Sequence, residues 1–350
     1  MKENIDLSIS SETEVISCPI CIKDETRVLF NAEDLSYHLP GVFPVRSCNK
    51  CGLVFLSPRP KVEDLPKYYP RGKYFKMPHN HIPNGDYSKK TLHHKRIWPV
   101  HLARAVNQVW YGYDFGYTGT LTYLARIFLF FFKRILILHP YFQLPSYLKR
   151  GKLLEIGFGT GGDLLNFQKL GWVTTGADID EDCCNYARTN LNIEVVNIDR
   201  EKIIVDDETF DVVYLSQTFE HLPDPKGSLL EYKRIIRENG QLIIKVPNFE
   251  CNQAKRWKSS WRGLEVPRHL FFYTKDTMFK LLEKTGYSEI HILSVNLSPF
   301  DVFCASTPPT IEKNEENKNQ WWNNRLIISI MHFICPIFGY GESLYITARK

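Results

Sequence analysis

Several things are missing from this sequence, and each absence excludes something. It has no run of about 18 uncharged apolar residues, the length a helix needs to span a bilayer. Residues 121–138 come nearest and are interrupted by Arg126, Lys133 and Arg134, while 326–340 are fewer and carry His332 and Pro336. Residues 1–15 mix charges with hydroxyls and have no apolar centre, so the reading predicts no secretory signal. Charge of one sign is not in excess. Against 44 Lys plus Arg stand 39 Asp plus Glu, and a net +5 is modest for a protein whose partner is a phosphate backbone. The nine cysteines are an odd number, which argues against a complete disulfide framework and for thiols or metal ligands. No repeat of solenoid period occurs.

What is present suits a globular chain, soluble or at a membrane surface. Its 350 residues, 43% hydrophobic and 24% charged, suffice for one large core and a small satellite. Four regions follow from pattern. Residues 1–15 form a polar leader, and 16–70 hold two CxxC pairs and a Pro-rich exit. Residues 71–149 are rich in aromatics and His, with a basic run at 89–96 and an apolar segment of helical period ending near Leu138. From 150 to 350 strand and helix alternate, with a polar then apolar insertion at about 307–340. The alternation predicts an α/β fold with a doubly wound, mostly parallel sheet. GSLLEYKRIIRENG reads as one helix with a glycine stop, and IEVVNID as one strand.

The most informative stretch runs from a short apolar strand into Gly157, Gly159 and Gly161 and then a helix. Bare glycines let the chain turn tightly and admit a ligand where any Cβ would collide. GxGxxG alone is equally a turn without a ligand. Asp178 lies at the expected end of the second strand, placed to accept from a ribose diol, and Asp199 at the expected end of the third, placed to accept from an adenine amino group. Each is also an ordinary N-cap or loop acid when taken singly. The Lys and Ser/Thr of a phosphate-binding loop are absent from the turn, which disfavours an NTPase. Glu155 points a carboxylate into the same cleft, which repels a pyrophosphate and favours an ammonium group.

These motifs, ExGxGxG, GxD, FDVV and EHLxDP, then LIIKVPN and the closing GESLYITARK, resemble the class I S-adenosylmethionine-dependent methyltransferases over about 150–300 and 341–350. The resemblance implies a seven-stranded Rossmann-like sheet. It places the three glycines around the methionine and ribose of S-adenosylmethionine, Glu155 near its amino group, Asp178 on the ribose, Asp199 near adenine, and Ser216 and Gln217 beside the sulfonium. Phe158 departs from the smaller residue of many relatives.

Methyl transfer needs alignment of donor and acceptor and, for a hydroxyl acceptor, somewhere for a proton to go. His221 and His269 are the candidate catalytic residues, each of them equally a packing histidine. Trp261 and Arg268 resemble the WxGLxxPRHL segment of one subgroup and are the candidate substrate contacts, although Arg268 has a plain alternative in pairing with Glu265. Cys18, Cys21, Cys48 and Cys51 have the spacing of two zinc knuckles, and four thiolates close the coordination of a structural Zn²⁺. An N-terminal ribbon of this kind resembles the same subgroup, which is associated with glycan and lipid pathways.

The expectation is therefore a cytoplasmic methyltransferase with a structural zinc, methylating oxygen or carbon of a sugar, glycan or lipid-linked envelope intermediate. Peripheral contact with the inner membrane face is one use for the amphipathic helix near 121–138, and roofing the cleft is the other. An RNA methyltransferase using the ribbon as its grip is the rival enzyme, set back by the modest charge. A non-catalytic cofactor-binding protein is the rival of a different class.

Overall fold

The structure is a computed structural model that describes residues 12–70, 100–138, 142–199, 202–296 and 337–350, with Val100 and Asp199 described by backbone only. Of the apolar stretch at 326–340 only 337–340 is described, beginning as a turn, and the basic run at 89–96 lies outside the described residues.

The chain opens with five strands: β1 (Thr13–Glu14), β2 (Thr26–Ala32), β3 (Phe43–Cys48), β4 (Val54–Leu56) and β5 (Arg59–Pro60). β1 pairs with β5, so the last leader residues are structured. Two helices follow, α1 (Val100–Tyr111) and α2 (Thr120–Leu136), and they pack on one another through Ala103, Val106, Ala125 and Leu136. The Rossmann-like part then runs β6 (Lys152–Ile156), α3 (Gly162–Lys169), β7 (Val173–Ala177), α4 (Glu181–Tyr186), β8 (Glu194–Val195), β9 (Ile198–Asp199), β10 (Lys202–Ile203) and β11 (Phe210–Ser216). It continues with α5 (Pro225–Ile235), β12 (Ile236–Pro247), α6 (Asn252–Trp257), β13 (Phe271–Phe272), α7 (Lys275–Lys284), β14 (Ser288–Val295) and β15 (Ser343–Arg349).

The seven-stranded sheet has the order β14-β15-β12-β11-β6-β7-β8. β8, β7, β6, β11 and β12 are parallel, and β15 is antiparallel to both its neighbours. The order reverses beside β6, and that switch point is where open α/β sheets bind ligands at their carboxyl edge. Short polar side chains accept from free amides at the start of α4, α5 and α7, whereas α2 and α3 start at glycines. Asp180 accepts from Cys183 N at 3.0 Å to cap α4, Asp224 accepts from Gly227 N at 2.9 Å to cap α5, and Thr274 forms a reciprocal box with Thr277 on α7.

Two local expectations are corrected. α5 stops at Ile235, and the Arg237–Gly240 stretch, expected in the helix, is part of β12. Pairing of Ile236 with Phe210 draws the β-branched residue into the sheet before the glycine is reached. The strand expected over 193–199 is two separate pieces. β8 ends at Val195 on the main sheet, whereas β9 pairs antiparallel with β10 in a small hairpin. Asp199 therefore does not end the third parallel strand, and its side chain lies outside the described residues.

The N-terminal module is not a satellite with its own core. β13, from the far side of the Rossmann-like part, is the fourth strand of the ribbon sheet, with Phe271 opposite Phe55 and Phe272 opposite Val54. Cys18, Val45, Phe55 and Leu56 sit in one continuous buried cluster with Leu154, Val213 and Ile244 of the large sheet.

Candidate functional site

Gly157, Gly159 and Gly161 all adopt positive φ, 68°, 53° and 75°, at the top of β6. A Cβ on Gly157 would stand 2.4 Å from Thr218 Cγ2, so the turn closes directly on the loop after β11. Phe158, the departure from smaller residues, lies over β7, where a Cβ on Gly176 would fall 2.7 Å from its ring. The glycine of the GxD motif is what makes room for it.

Asp178 follows β7. One of its carboxylate oxygens accepts from Gly159 N at 2.9 Å and the other from Asp180 N at 3.0 Å, and its pKa is raised, by burial first. Each oxygen keeps a second lone pair, which a ribose diol can use. Glu155 sits on β6 between Tyr214 and Gly176, 4% exposed, and its Oε2 has no hydrogen-bond partner among the described residues. Burial, then Asp163, pushes its pKa well above the carboxylate range, against the pull of Lys245. Lys245, which sequence reasoning missed, is buried between the rings of Tyr214 and Tyr345, with Nζ 5.4 and 5.6 Å from their centres. A buried carboxylate oxygen without a donor, beside a turn kept bare of Cβ atoms, fits the ammonium group and nucleoside of S-adenosylmethionine. Ser216 ends β11 and Gln217 follows at φ 55°, exposed, its N–H donating to Lys245 O at 2.8 Å.

The loop after β11 carries Glu220 and His221, and the segment before β13 brings His269 against them. The two imidazoles meet edge to face, centres 4.5 Å apart. His221 Nδ1 lies 2.9 Å from the Tyr69 hydroxyl and 3.1 Å from Arg268 O, and His269 Nδ1 lies 2.9 Å from Gly263 O. Burial, then His269, lowers His221 to about 3, and burial lowers His269 as well. Both rings are thus neutral near pH 7. Burial pushes Glu220 up to about 8. Tyr69 was not singled out in the sequence. It arrives from the ribbon side, and a Tyr-Tyr-Pro at the module's end is a weak signal for it.

Arg268 and Trp261 are both buried. Arg268 donates to both oxygens of Asp34 at 3.0 and 2.7 Å, to Tyr68 O at 3.1 Å and to Glu265 Oε1 at 3.2 Å. It is a clamp between ribbon and Rossmann-like part, and the expectation that it binds substrate is corrected in favour of pairing, with Asp34 as the main partner. Trp261 packs edge-on against Phe249, and its indole N–H has no acceptor among the described residues.

The four thiols converge as their spacing predicts. Sγ separations are 3.4 Å for Cys18 to Cys51, 3.6 Å for Cys21 to Cys18 and 3.3 Å for Cys21 to Cys48, and all four lie within 4.8 Å of one another. A ZnS₄ tetrahedron with bonds of about 2.3 Å has S–S edges of about 3.8 Å, so the donor set and its size fit Zn²⁺. Burial opposes ionisation of Cys48, but the backbone N–H groups of Cys51 and Lys50 and the neighbouring thiol of Cys21 outweigh it and bring the pKa down to about 7. Burial raises Cys18 and takes Cys21 to about 11.

Residues 126–292 match the family model described as a methyltransferase domain. An uncharacterised protein of Methanocaldococcus jannaschii is 24% identical over 147 residues, 42% of this chain and 69% of that one. A ubiquinone biosynthesis O-methyltransferase of Glaesserella parasuis is 30% identical over 107 residues, 28% of this chain and 45% of that one, so the chain spans under half the length of this relative. Among solved structures, a Thermotoga maritima methyltransferase described as a possible histamine N-methyltransferase is 19% identical, with 65% of this chain and 99% of that one covered at a TM-score of 0.42. An S-adenosylmethionine-dependent methyltransferase of Archaeoglobus fulgidus is 20% identical, with 64% and 94% covered at 0.40. The matched domain and the glycine turn on this sheet define an enzyme of the S-adenosylmethionine-dependent methyltransferase class.

Proposed function

We propose that the protein transfers a methyl group from S-adenosylmethionine to an oxygen of a sugar, glycan or lipid-linked intermediate. The observation that carries this reading is the neutral His221–His269 pair, whose His221 lies three residues past the Thr218 that closes on Gly157. Gly157, Gly159 and Gly161 with Glu155 and Asp178 would hold the cofactor, which supplies the activated methyl group. Ser216 and Gln217 would line its reacting end. His221, which keeps partial exposure, would receive the hydroxyl proton, with Tyr69 and the Arg268 carbonyl fixing its ring. The unmet indole N–H of Trp261 is a donor left for the acceptor. Zinc at the four cysteines would brace the ribbon and, through β13, the wall that carries His269.

The deciding experiment is a methyl-transfer screen over hydroxylated envelope precursors with labelled cofactor, read by mass. Product with His221→Ala inactive and still cofactor-binding supports the reading. Labelled RNA as the only product would favour the rival enzyme, and binding without any product the non-catalytic one.

A second reading concerns where this happens. None of the described helices is long and apolar enough to cross a membrane. α2 buries Ala125 and Leu136 against α1 but exposes Tyr123, Leu124, Phe130 and Phe131, with Arg126 and Arg134 on the same helix. An exposed aromatic face beside cations suits an anionic bilayer surface, and favours peripheral attachment at the cytoplasmic face over roofing of the cleft.

A further inference from the structure

Three electron-pair donors in the histidine wall face one another with no hydrogen donated between them. Glu220 is 0% exposed, and among the described residues neither carboxylate oxygen has a hydrogen-bond partner. His269 Nδ1 stands 2.9 Å from the Gly263 carbonyl. A carbonyl only accepts, so the proton is on Nδ1 and Nε2 carries a bare lone pair. His221 Nδ1 lies 2.9 Å from the Tyr69 hydroxyl, which can donate or accept, and 3.1 Å from the Arg268 carbonyl, which only accepts; a proton on Nδ1 suits both and leaves Nε2 bare. His269 Nε2 is 3.8 Å from a Glu220 oxygen, beyond hydrogen-bond reach.

One ligand atom from each of Glu220, His221 and His269 lies within 4.8 Å of the other two. A second carboxylate, Glu265, brings an oxygen to 4.0 Å from His269 Nε2. The cations nearby are already engaged: Arg262 with Glu265 at 2.6 Å, and Arg268 with Asp34 and Glu265. The cluster gathers buried lone pairs, and among the described residues no free cation meets them. Buried acceptors left unmet are destabilising.

We propose that Glu220, His221 and His269 bind a divalent transition-metal cation, at a second site separate from the four cysteines. Two imidazoles and one carboxylate suit zinc, manganese, cobalt or iron, and not calcium or magnesium, which prefer oxygen throughout. Backbone carbonyls that hold each Nδ1–H are the supports that orient ligating histidines. Three protein ligands leave coordination positions open. The use of the ion rests on the methyltransferase reading: it would hold the acceptor oxygen and lower its pKa, and the hydroxyl proton, which a ligating His221 could not take, would leave to solvent before methyl transfer. The site itself rests on its ligands alone.

The test uses the full chain with zinc already bound at its cysteines, titrated with Co²⁺. One further equivalent is expected, with visible ligand-field bands and none of the thiolate charge transfer that cobalt at the cysteines would show. Glu220→Gln and His269→Ala should each weaken that binding at least about tenfold. Glu220→Gln is nearly isosteric and decides the matter alone if the alanine variant does not fold. No cobalt beyond the zinc equivalent, or undiminished affinity in Glu220→Gln, overturns the proposal. Calorimetry with S-adenosylmethionine runs in parallel. Cofactor bound without the second cobalt sinks the metal site alone, and cobalt bound without cofactor sinks the methyltransferase reading alone.

Discussion

The guanidinium of Arg268 and the carboxylate of Asp34 meet through two hydrogen bonds of 3.0 and 2.7 Å, across 234 residues of sequence, with both side chains fully buried. Removing one member leaves the other charge buried and unpaired, a loss of about 3–5 kcal/mol. We expect Asp34→Ala and Arg268→Ala each to lose about that much in urea unfolding. The double variant should lose less than the sum of the two, because the pair is coupled. Single losses under about 1 kcal/mol would mean that the clamp contributes little.

Glu155 carries a stability cost tied to cofactor binding. A carboxyl whose folded pKa lies above its unfolded value withdraws stability as pH rises through the interval between the two. Burial, then Asp163, places Glu155 in that condition. Glu155→Gln should therefore raise the Tm of the cofactor-free protein at neutral pH while weakening S-adenosylmethionine at least about tenfold, or about 1.4 kcal/mol. In the native protein an ammonium ligand favours the ionised carboxylate, so binding should release a proton and tighten as pH rises. Calorimetry in two buffers of different ionisation enthalpy reads this directly, and proton uptake would contradict it.

Gly157→Ala confronts both a positive φ and the Thr218 side chain, which a Cβ would approach to 2.4 Å. Cofactor affinity should fall at least about tenfold. Thr218→Gly in the same chain should restore part of it by removing the collision and leaving only the backbone strain. Full affinity in Gly157→Ala would show that the turn has slack.

The ribbon shares a buried cluster with the large sheet, and Lys284 on α7 donates to Ile20 O at 2.6 Å beside the first knuckle. Stripping the metal with a chelator, or Cys48→Ser, should lower the Tm of the whole described fold in one cooperative step. Metal analysis should find one zinc at the cysteines. Two separate transitions, with the Rossmann-like part unmoved, would contradict a shared core.

Phe130 is 83% exposed and Phe131 69%. Phe130→Asp and Phe131→Asp should each change the unfolding free energy by no more than about 0.5 kcal/mol and together abolish sedimentation with anionic vesicles. Unchanged sedimentation would remove α2 as the contact.

Much of the site was legible in sequence because its signals are short-range. The glycine turn, Glu155, Asp178 and the paired CxxC motifs depend on spacings of a few residues within one strand, turn or knuckle, and the structure sets them where those spacings lead. Asp199 was misplaced because alternation in IEVVNID does not say which sheet a strand joins, and β8 and β9 join different ones. Arg268 was read toward a ligand because its partner, Asp34, is remote in the chain. Tyr69 carried only the weak signal of its Tyr-Tyr-Pro, and Glu220 and Lys245 stood inside EHLxDP and LIIKVPN without a role assigned to them, since each matters through what lies across the fold.

Periodicity and near-neighbour spacing determined by themselves that this chain builds an α/β sheet, a bare turn at its switch point and a four-thiol cluster. They suffice because backbone geometry and knuckle closure are decided within one turn or one strand. Only the tertiary structure decided that the ribbon borrows β13 for its sheet, that Arg268 clamps it through Asp34, and that two histidines and a glutamate share one buried wall. Those are meetings between segments far apart in the chain, selected by burial and charge pairing in three dimensions, and no local pattern encodes them.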